Sequence, residues 1–261
     1  MYALSEIIEQ YANEIAGHRK WLRSFDGRYT IKWERLLKAD PEAAICEAAT
    51  SELLRNQGVT VEPNEHMSLG GPDYVCRCDN YNFYVEATCM EKAGDKSGLT
   101  HGSVYTFSSL TKPILDEIRN KTRQCSSLDA PCVLAIGTLD DVAGHICFSK
   151  IFAGHILTGT PKISPGTDAE QRPTTDDLHW TTDLEDSGFV RPNRKTTNSI
   201  EEARRTVSAV LLCSFGTTPL RAIGLLHPNP NHNFDRTLLP KIDFCRLAEG
   251  YQTGQFKVEW I

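Results

Sequence analysis

The sequence predicts an α/β protein, a mixed central β-sheet flanked by helices, and three observations carry that reading. Apolar residues recur at helical spacing as far as Gly58, short apolar and β-branched runs follow from Val59 onward, and a further helical pattern over residues 108–125 interrupts those runs. The order helix, strand hairpin, helix, strand and then more strands describes one sheet covered by helices. A chain of 261 residues can bury a substantial core as one domain with decorations. Hydrophobic residues at 40% and charged residues at 24% match an ordinary soluble protein and exclude a disordered or membrane-embedded composition.

Leu4, Ile7, Ile8, Tyr11, Ile15 and Trp21 fall near the helical period with charges between them, which predicts an amphipathic helix over residues 2–22. A short second helix is expected over IKWERLLK, residues 31–38. The third, residues 39–58, has the clearest punctuation: Asp40 as cap, Pro41 in the first turn and Gly58 as the stop. VTVE reads as a short strand, and Asp73–Cys78 with Phe83–Cys89 as a hairpin closed by DNYN. Residues 108–125 read as a helix capped near Thr111 with Pro113 in its first turn, and PCVLAIGT as a short buried strand. Residues 140–158 fit helix and strand equally well. Residues 159–199, rich in Thr, Pro, Asp and Asn, read as a surface excursion with one short strand at 179–181. VSAVLLC, RAIGLL and FKVEWI then supply further strands. The plan is one domain over 1–261: an N-terminal helical extension (1–38), a core (40–138), a surface insertion (159–199) and closing strands (205–261).

The formal charge, 28 − 34 = −6, and a pI near 5.8 argue against a protein that coats nucleic acid electrostatically. An enzyme acting on nucleic acid is still allowed, because local groups such as Arg119, Lys121 and Arg123 can contact phosphates on an otherwise acidic surface. Arg191, Arg194 and Lys195 read as solvated loop charge. The nine cysteines lack the spacing of a secreted disulfide framework, and reduced thiols in the cytoplasm are the expectation. Cys76 and Cys78 have no second pair at zinc spacing, and His227 and His232 in HPNPNHN read as turn chemistry rather than ligands. No signal-peptide pattern opens the sequence, and no apolar run is long enough to span a membrane. Hydrolase elbows, Walker loops and dinucleotide fingerprints are all missing.

The chemistry-bearing residues gather in GPDYVCRCDNYNFYVEAT, residues 71–88. Phe83, Val85, Ala87 and Cys89 alternate with Tyr84, Glu86 and Thr88, so Glu86 and Thr88 share one face of a strand. A glutamate in such a strand is costly unless something positive meets it, and a metal ion is the general solution. With the hairpin in register, Asp73 faces the same site. Pro72 fixes the chain before Asp73, while Gly70 and Gly71 admit a close neighbour. Ala44, Ala48 and Ala49 beside Glu47 let that helix pack tightly on a sheet with the carboxylate over its edge. Lys121 and Gln124, three residues apart, are expected on one helical face.

A helical Glu, then Pro-Asp, then an acid on an apolar strand, then a helix with Lys and Gln: in that order the segment from Asp40 to Thr138 resembles the PD-(D/E)xK nucleases, the restriction-endonuclease-like superfamily. Weaker echoes occur in VSAVLLC and GLLHPNPNHNF. The resemblance implies a restriction-endonuclease-like core and a metal-dependent endonuclease that hydrolyses phosphodiester bonds of DNA, in the cytoplasm, in defence or repair. A two-fold homodimer is the arrangement that would most easily cut both strands of a duplex. It further implies that Asp73 and Glu86 hold Mg²⁺ or Mn²⁺, with the Ala87 carbonyl as a third ligand and Glu47 as the helical acid that contacts the ion through water or holds a second one. The family's lysine falls at Thr88, which carries no charge. Lys121 is then expected to supply the ammonium and Gln124 to position water or phosphate, with Lys112 and Lys92 as the other candidates. The alternative is a catalytically inactive module of the same fold that binds nucleic acid or a protein partner.

Overall fold

The computed structural model of the chain describes residues 4–64, 71–90, 107–126, 128–147, 149–167, 173–193, 199–217, 220–251 and 256–261. Helices come first. α1 (Leu4–Gln10) and α2 (Ala12–Leu22) divide the expected single helix at Tyr11, whose φ of −107° and ψ of 25° leave the helical region while its ring is buried. α3 (Gly27–Ala39) starts earlier than its apolar pattern suggests, because Asp26 caps it by accepting the Arg28 N–H at 2.9 Å. α4 (Pro41–Arg55) follows its punctuation: Asp40 accepts the Ala43 N–H at 3.0 Å, Pro41 opens the helix, and Gly58 follows its end with φ +90°. Ala44, Ile45 and Ala48 pack α4 against α2 and α3, while Cys46, Ala49 and Leu53 press on the sheet.

β1 (Thr60–Pro63), β2 (Tyr74–Cys78) and β3 (Tyr81–Cys89) form an antiparallel meander. The β2–β3 turn pivots on Asp79, whose φ of +51° an aspartate tolerates better than most residues. α5 (Phe107–Lys121) then leads to β4 (Cys132–Thr138), parallel to β3. α5 begins ahead of the expected cap at Thr111, so Pro113 lies inside the helix and leaves one carbonyl of the preceding turn without its intrahelical donor. All seven positions of β4 are buried, as suits a strand with parallel neighbours on both sides.

The ambiguous stretch after β4 is helical, as α6 (Asp141–Cys147) and α7 (Lys150–Thr158). Caps decide it: Asp140 accepts the Ala143 N–H at 2.8 Å, and Ser149 accepts the Phe152 N–H at 3.1 Å. In place of one short strand, the expected surface excursion holds the ribbon of β5 (Thr160–Thr167) on β6 (Pro173–Asp183) and the strand β7 (Val190–Pro192), which pairs with β8 (Ile200–Glu202) just past it. It is not confined to the surface, because Phe189 and Val190 are fully buried in one core with Ile118 and Ile156.

β9 (Ala209–Ser214), β10 (Arg221–Leu226), β11 (Asp243–Leu247) and β12 (Val258–Trp260) complete an eight-stranded mixed sheet in the order β1-β2-β3-β4-β9-β10-β11-β12. β11 escapes the sequence pattern because the exposed Asp243 and Arg246 break up its apolar residues. One core lies between α4 and the face carrying Phe83, Val85, Val133 and Leu211; the other lies between α5, α7 and the face carrying Leu134, Ile136 and Leu212. Each such side chain contributes roughly 1.5–3 kcal/mol by leaving water. Among the described residues no helix is long and apolar enough to cross a membrane.

Candidate active site

The site begins with the offset of β2 against β3. β2 starts at Tyr74, which pairs with Val85, so Asp73 comes one step before the paired region and lies on the Glu86 side of the hairpin. Gly71, at φ +148°, takes a conformation that favours glycine, and with Pro72 it turns the chain into this position. Asp73 Oδ2 accepts the Ala87 N–H at 2.7 Å. Beyond that point Glu86 to Cys89 run past the start of β2, with β4 as their partner strand through Glu86↔Leu134 and Cys89↔Gly137. A cavity of about 680 Å³ occupies this step in the sheet edge.

α5 delivers a positive charge to it. Leu110, Ile114 and Ile118 form an apolar stripe buried against β4, and Lys121, three residues further on, continues the stripe at the end of the helix. Lys121 Nζ donates to Glu86 Oε1 at 2.7 Å, with the glutamate side chain 4% exposed and the lysine 24%. Burial by itself lowers the pKa of an ammonium, but Glu86 first, through charge and hydrogen bond, and then Asp73 and Glu117 outweigh it, and the Lys121 pKa is raised. Glu117 lies one turn earlier, and there Thr88 Oγ1 donates to Glu117 Oε2 at 3.0 Å. Four helical residues and two strand residues both span about 6 Å, so Glu117 and Lys121 stand over Thr88 and Glu86 in matched steps.

The other walls of the cavity come from the N-terminal helices. α4 presents Glu47, whose backbone carbonyl accepts the Tyr74 hydroxyl at 3.1 Å, and α3 presents Lys32 and Arg35. Glu47, Asp73, Glu86, Ala87, Thr88 and Lys121 therefore line one cavity. Gln124 does not: α5 stops at Lys121, and Gln124 is exposed in the following turn, so its spacing from Lys121 does not put the two on one helical face. Lys112 is exposed and away from the cavity, and Lys92 lies outside the described residues. Sequence reasoning passed over Glu117, Lys32 and Arg35. The i,i+4 spacing of Glu117 and Lys121 was a readable signal, whereas nothing local marks the two cations on α3.

The donors are hard oxygens, carboxylates of Asp73, Glu86 and Glu47 and the Ala87 carbonyl, and in chemical kind they fit Mg²⁺ or Mn²⁺. Among the described residues, no three His, Cys, Asp or Glu side chains are gathered closely enough to hold an ion by themselves. The arrangement sets these oxygens beside an ammonium that is already charged at neutral pH, on a cavity within the size range of ordinary ligand pockets. Comparison with family models, with curated proteins and with solved structures returned no match.

Proposed function

We propose that the chain is a metal-dependent nuclease with a restriction-endonuclease-like core, hydrolysing phosphodiester bonds of DNA with Mg²⁺ or Mn²⁺. The observation that carries this reading is the Lys121 ammonium 2.7 Å from Glu86, on a cavity that Glu47, Asp73 and Ala87 also line. It supplies from a helix the charge that Thr88 lacks. A helical acid, a hairpin with two acids, and a helix leading to a parallel strand also follow one another in the order the resemblance implies.

In this reading Asp73 and Glu86 hold the ion with the Ala87 carbonyl, and Glu47 makes the further contact from α4. A divalent cation, when bound, offsets charge developing on phosphorus and lowers the pKa of the attacking water. Lys121 orients that water and balances charge on the phosphoryl oxygens. Lys32 and Arg35, across the cavity, contact flanking phosphates and position the strand without reading its bases. Defence or repair of DNA is the setting this chemistry serves, and a two-fold dimer would extend it to both strands of a duplex.

Supercoiled plasmid and single-stranded DNA incubated with Mg²⁺ or Mn²⁺ should be cut, and chelation or Asp73→Asn should abolish cutting. Millimolar metal should raise the melting temperature of the parent and not of Asp73→Asn. Neither cleavage nor a metal-dependent shift would leave the nuclease reading without support. The Thr88–Glu117 hydrogen bond favours the second reading, an inactive module binding nucleic acid or protein, since it sets an acid rather than an ammonium over the strand. Binding of DNA with no cleavage and no metal shift would select that module.

A further inference from the structure

Two thiols that the proposed hydrolysis does not use meet beside its cavity. Cys46 of α4 and Cys89 at the end of β3 are 43 residues apart, and their Sγ atoms are 3.1 Å from one another. A covalent bond between them needs a shift on the order of 1 Å. The place is built for close approach. Cys89 pairs across the sheet with Gly137, and a Cβ on Gly137 would come within 3.0 Å of Cys46 Sγ. All nine cysteines are free thiols, and Cys125 and Cys132 also meet through sulfur, but both of those are buried, 2% and 0% exposed. Cys89 differs in being half-buried and lining the cavity, while Cys46 behind it is fully enclosed. One partner is reachable and the other waits against it.

We propose that Cys46 and Cys89 form a peroxide-reactive dithiol site that closes to a reversible disulfide between α4 and β3. A hydroperoxide entering the cavity meets Cys89 first. The sulfur takes its terminal oxygen: the O–O bond breaks, an S–O bond forms, and the peroxide leaves reduced as an alcohol, or as water from hydrogen peroxide. Cys46 Sγ then attacks Cys89 Sγ, the S–O bond breaks, the S–S bond forms, and the hydroxyl departs as water with the Cys46 proton. Two thiols are oxidised by two electrons and one peroxide is reduced by two. A small dithiol returns the pair to its starting state. The bond ties the helix that carries Glu47 to the strand that carries Glu86 and Thr88, so it fixes one wall of the cavity. This chemistry stands whether or not the cavity hydrolyses phosphodiesters.

The test treats the reduced full chain with hydrogen peroxide, then denatures, alkylates and maps the peptides by mass spectrometry. The expected product is a Cys46–Cys89 linked peptide lacking two hydrogen atoms, reversed by dithiothreitol, with Cys125 and Cys132 still alkylated. Oxidised protein should melt at a higher temperature than reduced protein, as a cross-link over this span predicts. In Cys46→Ser, Cys89 should accumulate as a sulfenic acid that dimedone labels, and in Cys89→Ser neither linkage nor label should form. Full alkylation of Cys46 and Cys89 after peroxide overturns the proposal, as does unlinked over-oxidation of Cys89 in the parent or a linkage to any other cysteine. The parent's peptide map decides the matter even if a variant does not fold.

Discussion

Glu86 with Lys121 and His18 with Ser51 are both polar pairs taken largely out of water, yet the chain buries them in opposite ways. His18 sits in the packing of α2, α3 and α4, 2% exposed, with the rings of Trp21 and Trp33 at centroid distances of 5.1 and 4.8 Å. Its Nδ1 lies 3.1 Å from Ser51 Oγ, and Ser51 donates its own hydrogen to Ala48 O at 2.8 Å, so Nδ1 carries the proton and donates. Burial, reinforced by the Arg55 charge, lowers the His18 pKa to about 3, and the ring stays neutral. His227 is buried in the same neutral manner, Nδ1 accepting the Asn229 N–H at 3.0 Å and Nε2 donating to Ala203 O at 2.8 Å. Glu86 and Lys121 instead meet as an ion pair and open onto a cavity. A buried ion pair adds little net stability over an apolar pair of the same shape, whereas the neutral His18 fills an aromatic pocket between helices with its Nε2 unpaired among the described residues. The difference separates a site from a scaffold.

The largest expected effect breaks the charged pair. Lys121→Met removes the ammonium that Glu86 meets and should cost about 3 kcal/mol of stability, read by urea unfolding. Because the Lys121 pKa is raised in the folded chain, its contribution is fully present below the unfolded value and fades only as pH rises through the folded one. The loss should therefore be the same at pH 7 and pH 9. Glu86→Gln in that background should recover much of the stability. Cleavage, where assayed, should fall about 10²-fold or more in Lys121→Met and should not return in the double variant. A single variant as stable as the parent would place this pair with ordinary surface ion pairs.

Acid tests the neutral histidines. An unfolded histidine takes up a proton near its ordinary 6.5, while folded His18 and His227 hold out to about 3 and about 4. Their folded pKa values are depressed, so the stability they reflect is present above the unfolded pKa and is lost as pH falls below it. Each should cost about 2 kcal/mol by pH 5, at about 1.4 kcal/mol per unit. His18→Leu should flatten the slope of stability against pH between 6.5 and 5, even if it lowers stability at pH 7. An unchanged slope would mean that His18 accepts a proton in the folded chain, and the contrast with Glu86 and Lys121 would narrow.

How far the sequence displayed all this depended on the range of each signal. Asp73 and Glu86 were placed on one face by strand alternation and hairpin chemistry, both local, and the register delivers that placement. Lys121 was singled out by its place on the helix after the hairpin, in the order the resemblance implies, and the structure puts it at the end of the stripe of Leu110, Ile114 and Ile118. Thr88 meeting Glu117, and α3 bringing Lys32 and Arg35 over the cavity, depend on how helices lie across the sheet, which no local pattern encodes. His18 was overlooked because one histidine in an amphipathic pattern reads as a polar position until the two tryptophans close round it. The end of α5 was misplaced for a further reason: no Gly or Pro punctuates it, and the polar residues of KTRQ continue its pattern past the point where the regular helix gives way to hydrogen-bonded turns.

That misplaced end sets the smallest expected effect. Gln124 was matched with Lys121 on the assumption of a continuing helix, but the chain turns after Lys121, with the Gln124 N–H donating to Lys121 O at 3.0 Å and the side chain in solvent. An exposed turn residue away from caps and cavity changes stability by no more than about 0.5 kcal/mol when truncated. Gln124→Ala should therefore unfold like the parent and, where cleavage is assayed, keep its rate within about twofold, since a group that does not reach the reacting atoms leaves no barrier term to lose. Asn120→Ala is the informative companion, because Asn120 lines the cavity one position before Lys121. A loss in Asn120→Ala with none in Gln124→Ala would draw the edge of the site at the last turn of α5. A loss in Gln124→Ala comparable to that in Lys121→Met would mean that substrate extends the helix by another turn, and the boundary between site and scaffold would have to move with it.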